Sequence, residues 1–383
     1  MPRLFTALLL LAVSACAGTL DYPPPAAPSL KRAAAETTGP YRFLHAAGTQ
    51  WVDEAGTPVR LRGVAFGNEV YSKNPLPTAH HGEADYARLR AMGMNLVRFY
   101  LYYGTLEDDA APFRYKDEGW AWLDRNLAWA RAHGVYLILN MHVPQGGFQS
   151  LGAGVALWSQ PANQERFVAM WRAIAARYAN EPVIAGYDLL NEPVVPRSKL
   201  EWQRLAQRTA RAIREVDARH TVIVERVNSV AGKWDNDAEM NFVTIDDPNL
   251  VYTFHFYEPF AFTHTHAPWA NMAHVEGGQW GPQRRGEISR GLQRYLDWGR
   301  RHDVPLYLGE FGLIRAAFEA KRNGLAWAAD MVDLAEAADL PWTWHSYHED
   351  HFALYYGYGK PIDPANANQA LIDLFGAKLR QRD

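Results

Sequence analysis

Two segments of this chain end an apolar, β-prone run in a glutamate: Gly186-Tyr187-Asp188-Leu189-Leu190-Asn191-Glu192-Pro193 and Leu306-Tyr307-Leu308-Gly309-Glu310-Phe311-Gly312. Pro in one case and Phe-Gly in the other mark where a strand gives way to a loop. Carboxylates at strand ends face a cleft, and two of them are the minimum equipment for breaking a glycosidic bond. One carboxyl group protonates the leaving oxygen while the other attacks or activates water. A lone Glu after a strand is more often a solvated loop residue or an ion-pair partner, so the surrounding elements must carry the argument.

Those elements alternate. Strand-like segments at Leu61–Phe66, Asn95–Tyr100, Val135–His142, Ile184–Glu192, Thr221–Val227, Leu250–Tyr257, Pro305–Phe311 and Trp342–Tyr347 are separated by helical patterns at Glu83–Met92, Trp120–Ala132, Gln164–Tyr178, Trp202–Val216, Ile288–Arg301 and Gly324–Ala338. A closing helix is expected at Asn366–Leu379, and 228–247 reads as an elaborated loop without a helix. Eight strands with intervening helices predict an α/β fold, a (β/α)8 TIM barrel whose chemistry sits at the C-terminal strand ends. Phe43 to Val59, with Glu54-Ala55-Gly56 between short apolar stretches, predicts a β-hairpin plugging the barrel floor. No internal repeat occurs at solenoid periods.

Polar residues at the expected strand ends run Arg98, His142, Asn191 with Glu192, His255 with Tyr257, Glu310 and Trp344. In that order, and with the flanks Asn140-Met141-His142, Leu190-Asn191-Glu192-Pro193, His255-Phe256-Tyr257, Gly309-Glu310-Phe311-Gly312 and Trp342-Thr343-Trp344, the chain from about residue 41 to 380 resembles glycoside hydrolase family 5, the cellulase-like retaining β-glycosidases. The resemblance implies that Glu310 is the nucleophile, its carboxylate kept ionised by Arg98 and hydrogen-bonded by Tyr257. It implies that Glu192 is the acid/base, which must stay protonated near neutral pH. Asn191 would donate to the sugar 2-hydroxyl, His142 and His255 would bind sugar or orient the glutamates, and Trp344 would floor the reacting ring. Loop tryptophans Trp158, Trp234, Trp269 and Trp280 are candidates for further sugar subsites, whereas Glu225 and Glu258 lack the family flanks and read as loop structure.

Composition excludes several other classes. Thirty-nine basic and 42 acidic residues in 383 give a net charge of −3 without a basic stripe, so no nucleic-acid partner is expected. His264-Thr265-His266 and the histidines of 345–351 lack His-Glu-x-x-His spacing, and no phosphate loop, dinucleotide fingerprint or Gly-x-Ser-x-Gly elbow occurs. Neither metal nor cofactor is expected. At the N-terminus, Arg3, an apolar run from Phe5 to Val13 and Val13-Ser14-Ala15-Cys16 read as a lipoprotein signal over residues 1–15. Residues 16–40 then read as a flexible tether and 41–383 as the catalytic domain. The run is about half of the roughly 20 residues a spanning helix needs. Cys16, the single cysteine, would be acylated as the only membrane contact, with Ala17 after it resembling the outer-membrane sorting pattern; the alternative is an ordinary secretory signal with an incidental cysteine, and a secreted protein. A monomeric, cellulase-like endo-β-1,4-glucanase acting on a polysaccharide is the expected protein. The alternatives are a β-mannanase or another β-glucan or exopolysaccharide hydrolase, and, in a different class, a non-catalytic carbohydrate-binding lipoprotein.

Overall fold

The computed structural model describes residues 41–152, 154–234 and 241–380. The expected signal segment, Cys16 and the tether lie outside the described residues, as does part of the connection read as helix-free. Eight parallel strands close a barrel in sequence order: β1 (Arg62–Phe66), β2 (Leu96–Tyr102), β3 (Tyr136–Val143), β4 (Ile184–Asp188), β5 (Thr221–Glu225), β6 (Leu250–His255), β7 (Leu306–Phe311) and β8 (Trp342–Trp344). Around it lie α1 (Glu83–Ala91), α2 (Asp117–His133), α3 (Pro161–Tyr178), α4 (Lys199–Arg214), α5 (Arg285–His302), α6 (Gly324–Ala337) and α7 (Gln369–Arg380).

Several helices start where capping chemistry dictates. Pro161 occupies the first turn of α3, and Ser198 and Glu201 form a capping box on α4. The first turn of α2 carries Asp117 and Glu118 against the positive end of the helix dipole. These signals place the α2 and α3 starts three residues earlier than apolar periodicity alone predicts.

Alternation along each strand sorts side chains into two cores. Outward residues such as Val97, Phe99, Leu137 and Leu139 pack under the helices. Inward residues Leu61, Leu96, Ile138, Ala185, Ile223, Val251 and Tyr307 form a separate apolar ring at the floor, completed by Leu44 and Trp51. Those two come from a hairpin, Leu44–Ala47 paired antiparallel with Gln50–Asp53. Trp51 Nε1 donates to Thr221 Oγ1 at 3.0 Å at the start of β5, which fixes the plug to the barrel. The hairpin closes on Gly48-Thr49, where Gly48 takes φ 56°, and Glu54-Ala55-Gly56 forms a second turn that brings Val59 N–H to Trp51 O at 2.9 Å. The expected turn is therefore the second of two.

Above the floor the inward positions become polar: Arg98, Asn140, Asp188, Glu225 and Thr253, all nearly inaccessible to water. Gly309 belongs to this level because a Cβ there would lie 2.6 Å from Thr253 Oγ1. The pairing of β7 with β8 shifts register between Leu308 and Phe311, and that of β6 with β7 between Phe254 and His255. Such irregularities re-aim a side chain, and here Glu310 turns to the mouth of the barrel.

Candidate active site

Arg98 points into the barrel from β2, fully buried, and organises the mouth. Its Nε donates to Asp188 Oδ2 at 2.8 Å, its Nη1 to Glu310 Oε1 at 2.6 Å and its Nη2 to Asn191 Oδ1 at 3.1 Å. A guanidinium cannot lose its proton and is costly to bury unpaired, so the surrounding carboxylates and amide are bound to it by necessity. Glu310 receives two more donors, Tyr100 OH on Oε1 at 2.6 Å and Tyr257 OH on Oε2 at 2.9 Å. Burial opposes its ionisation, but His255, His345, Arg98 and His142 outweigh burial and hold the carboxyl well below the usual carboxylate range.

Glu192 arrives differently. β4 ends at Asp188, four residues before the glutamate, which reaches the cleft on a loop with φ 45°. The intervening backbone is tied to neighbouring strands, with Leu189 N–H on Ile223 O and Asn191 N–H on Met141 O, at 3.1 and 3.0 Å. Glu192 Oε1 accepts from His255 Nδ1 at 2.9 Å, and the same nitrogen lies 3.4 Å from Glu310 Oε2. Burial favours neutral imidazole at His255, yet Glu225, Glu310 and the bond to Glu192 push it up to about 9. Glu192, His255 and Glu310 each bring one oxygen or nitrogen within 4.8 Å of the others. Among the described residues these three are the ones placed to share a cation, but an imidazolium has no lone pair to give, and Arg98 already pairs with the charge of Glu310.

The remaining expected residues fall into two groups. His142, stacked on Tyr100 at 3.8 Å with Nδ1 on Asn140 Oδ1, lines the cleft with Asn191, His255, Tyr257 and Trp269. Burial lowers its pKa well below the imidazole range. Three tryptophans do not reach the cleft. Trp344 points outward among Phe311, Trp327 and Phe375, at ring distances of 5.2, 6.3 and 5.4 Å. The reason is strand phase: Thr343, donating to Gly309 O at 2.6 Å, is inward, so Trp342 and Trp344 face the helices. Trp158 is buried in a short helix, Val155–Ser159, donating to Gln149 Oε1 at 2.8 Å, and Trp280 is buried against Asp330 at 2.9 Å.

Sequence reading also missed several groups. His345, one residue after Trp344, lines the cleft, with Nδ1 3.1 Å from Tyr100 OH. Tyr100 itself was legible by alternation, two residues after Arg98 on the same inward face. Glu225 is the clearest correction, being the last residue of β5 and 2% exposed instead of loop structure. Its Oε2 accepts from Glu192 N–H at 2.9 Å, and burial, against His255 and Arg98, pushes its carboxyl up to about 8. Glu258 does sit on the loop, accepting from Phe260 N–H at 3.3 Å.

The cleft encloses about 850 Å³. Of the six large apolar side chains most exposed among the described residues, Tyr71, Trp234, Phe260 and Trp269 line it, so exposed aromatic surface is concentrated here.

Comparison with known proteins agrees with this arrangement. Residues 52–351 match the family described as Cellulase (glycosyl hydrolase family 5). Endoglucanase C of Acetivibrio thermocellus is 29% identical over 338 residues, covering 81% of this chain and 96% of its own length. A Beta-xylosidase of Phanerodontia chrysosporium is 27% identical over 318 residues, 72% of this chain and 63% of that protein. Among solved structures, the endoglucanase Cel5A of Thermotoga maritima shares the fold with TM-score 0.68 at 23% identity, over 82% of this chain and 96% of that one. With three quarters of its length matched and a closed eight-stranded barrel presenting paired glutamates at the mouth, the chain belongs to glycosyl hydrolase family 5 and is an endoglucanase-like, retaining β-glycosidase.

Proposed function

We propose that the protein cleaves internal β-1,4 bonds of a glucan chain, with Glu310 as nucleophile and Glu192 as acid/base. The observation that carries this reading is the closeness of the two carboxyl groups, whose oxygens come within 4.8 Å. Retaining enzymes hold the pair about 5 to 5.5 Å apart, and inverting ones need about 6.5 Å or more to admit water between them. Glu310, kept ionised, attacks the anomeric carbon as Glu192 gives its proton to the departing oxygen. Water, deprotonated by Glu192, then releases the sugar from Glu310 with configuration retained. Asn191, whose Oδ1 is taken by Arg98 and whose amide donates one N–H to Ser150 Oγ at 3.2 Å, has its second N–H for the sugar 2-hydroxyl. Arg98, Tyr100 and Tyr257 hold the nucleophile in place, and His255 spans both glutamates.

An open cleft with Tyr71, Trp234, Phe260 and Trp269 along it suits a chain of sugar rings, because each added ring offers another apolar face to cover. The endoglucanases among the relatives support the same choice of substrate. The test is hydrolysis of a panel of soluble β-1,4-glucan, mixed-linkage β-glucan, β-mannan and xylan, with product sizing and anomer analysis by NMR. Early loss of viscosity on β-1,4-glucan with β-configured products is expected. Faster turnover of mannan, or release of terminal units only, would reject the endoglucanase reading. Placement in the cell envelope through acylated Cys16 follows from the Val13-Ser14-Ala15-Cys16 motif, and Cys16→Ser should move the protein out of the membrane fraction.

A further inference from the structure

Glu225 takes no part in the two displacement steps, yet it touches the acid/base by two routes. Its Oε2 accepts the backbone N–H of Glu192 at 2.9 Å, and its Oε1 lies 3.3 Å from His255 Nε2. The other ring nitrogen of His255 is the one bonded to Glu192 Oε1 at 2.9 Å. Main chain and side chain of Glu192 are thus both referred to a single buried carboxyl group on the next strand. The need for such a hold is local. Glu192 sits in the left-handed region at φ 45°, a strained conformation that a non-glycine residue keeps only where its surroundings impose it. It also lies between the end of β4 and the short paired strand Val194–Val195, so residue 192 itself belongs to no ladder and the Glu225 carboxyl is what its own N–H meets.

Resting on the reading of Glu192 as acid/base, we propose that Glu225 is its positioning residue, setting the aim of the proton at the departing oxygen. A general filling role fits less well. The main chain of residue 225 is anchored independently of its side chain, by Trp202 Nε1 on Glu225 O at 2.8 Å, and among the described residues the carboxyl oxygens meet polar partners in Glu192, His255 and, at 3.6 Å, Arg98. A misplaced acid hurts most where the leaving group most needs its proton.

The experiment is a series of aryl β-cellobiosides of graded leaving-group pKa, together with cellotetraose, measured on wild type, Glu225→Gln, Glu225→Ala and Glu192→Ala. In both Glu225 variants kcat/KM should fall at least about tenfold more for cellotetraose than for the best aryl leaving group, with the loss in kcat and not in KM. Glu225→Gln keeps the size of the side chain and an acceptor oxygen, so it answers the question if Glu225→Ala fails to fold. Equal losses across the series in the Glu225 variants, with a steepened series in Glu192→Ala, would overturn this proposal alone. An unsteepened series in Glu192→Ala would overturn the acid/base assignment and this proposal with it.

Discussion

The two ends of the barrel interior are built on opposite principles. At the floor, apolar rings from seven strands meet Leu44 and Trp51 of the hairpin, and the stabilisation is burial, which tolerates change in proportion to volume lost. At the mouth, Arg98 and His255 are enclosed by Asp188, Glu192, Glu225 and Glu310, and each group is tolerable only because of the others. The floor can be damaged gradually. The mouth is a set of mutual obligations that holds Glu310 ionised and ties Glu192 to its neighbours, and this arrangement makes it a poor site for stability.

That contrast can be broken at several points. The largest effect is expected from Glu310→Ala, which should abolish turnover with the fold intact; azide should restore reaction and give a glycosyl azide of inverted configuration, detectable by NMR. Glu192→Ala should cost on the order of 10²–10⁴ in kcat on cellotetraose, with azide giving product of retained configuration. Removing Trp51 by Trp51→Ala should cost about 3–5 kcal/mol of stability in denaturant melts while kcat of the folded fraction stays at the wild-type value. A fall in kcat matching the loss of stability would merge the two regions.

A smaller effect concerns pH. His255, raised to about 9, and Glu225, raised to about 8, both hold protons in the folded state that the unfolded chain releases near about 6.5 and 4.3. Their contribution is present at low pH and is lost as pH climbs through the folded values, so the unfolding midpoint should drop from about pH 4.3 to 8 through Glu225 and from about pH 6.5 to 9 through His255. The drop should shrink in His255→Gln, and an identical pH dependence in that variant would exclude His255 as its source. The smallest effect separates the tryptophans. Trp344→Ala should destabilise by about 3–5 kcal/mol. Trp269→Ala should leave the melt unchanged and weaken binding of long oligosaccharides by about 0.5–1.5 kcal/mol. Similar behaviour of the two would contradict their placement in core and cleft.

Much of this was legible in the residues because periodicity and strand-end chemistry are local signals. The eight strands, the plug at the floor and the convergence of Arg98, His142, Asn191, Glu192, His255, Tyr257 and Glu310 all follow from short stretches of sequence. Phase was harder. Nothing in Trp342-Thr343-Trp344 says which of two alternating faces is inward, and a one-residue slip exchanges Trp344 for His345. Glu225 was hidden for a related reason: without its neighbours, a glutamate closing Thr221-Val222-Ile223-Val224 looks solvated, and only the partners brought by β2, β4 and β6 reveal it as buried. Loop tryptophans carry no period at all, so Trp158 and Trp280 could not be told from Trp269.

The hairpin at the floor has a consequence of direction. Tyr41, whose OH donates to Ala130 O at 2.9 Å and whose ring meets Tyr136 at 5.0 Å, sits beside the first residue of β3, at the pole where the strands begin. Residue 41 thus enters the fold at the pole opposite the cleft. The mouth opens at the other pole, so a long chain can lie across it without meeting Tyr41 or the hairpin.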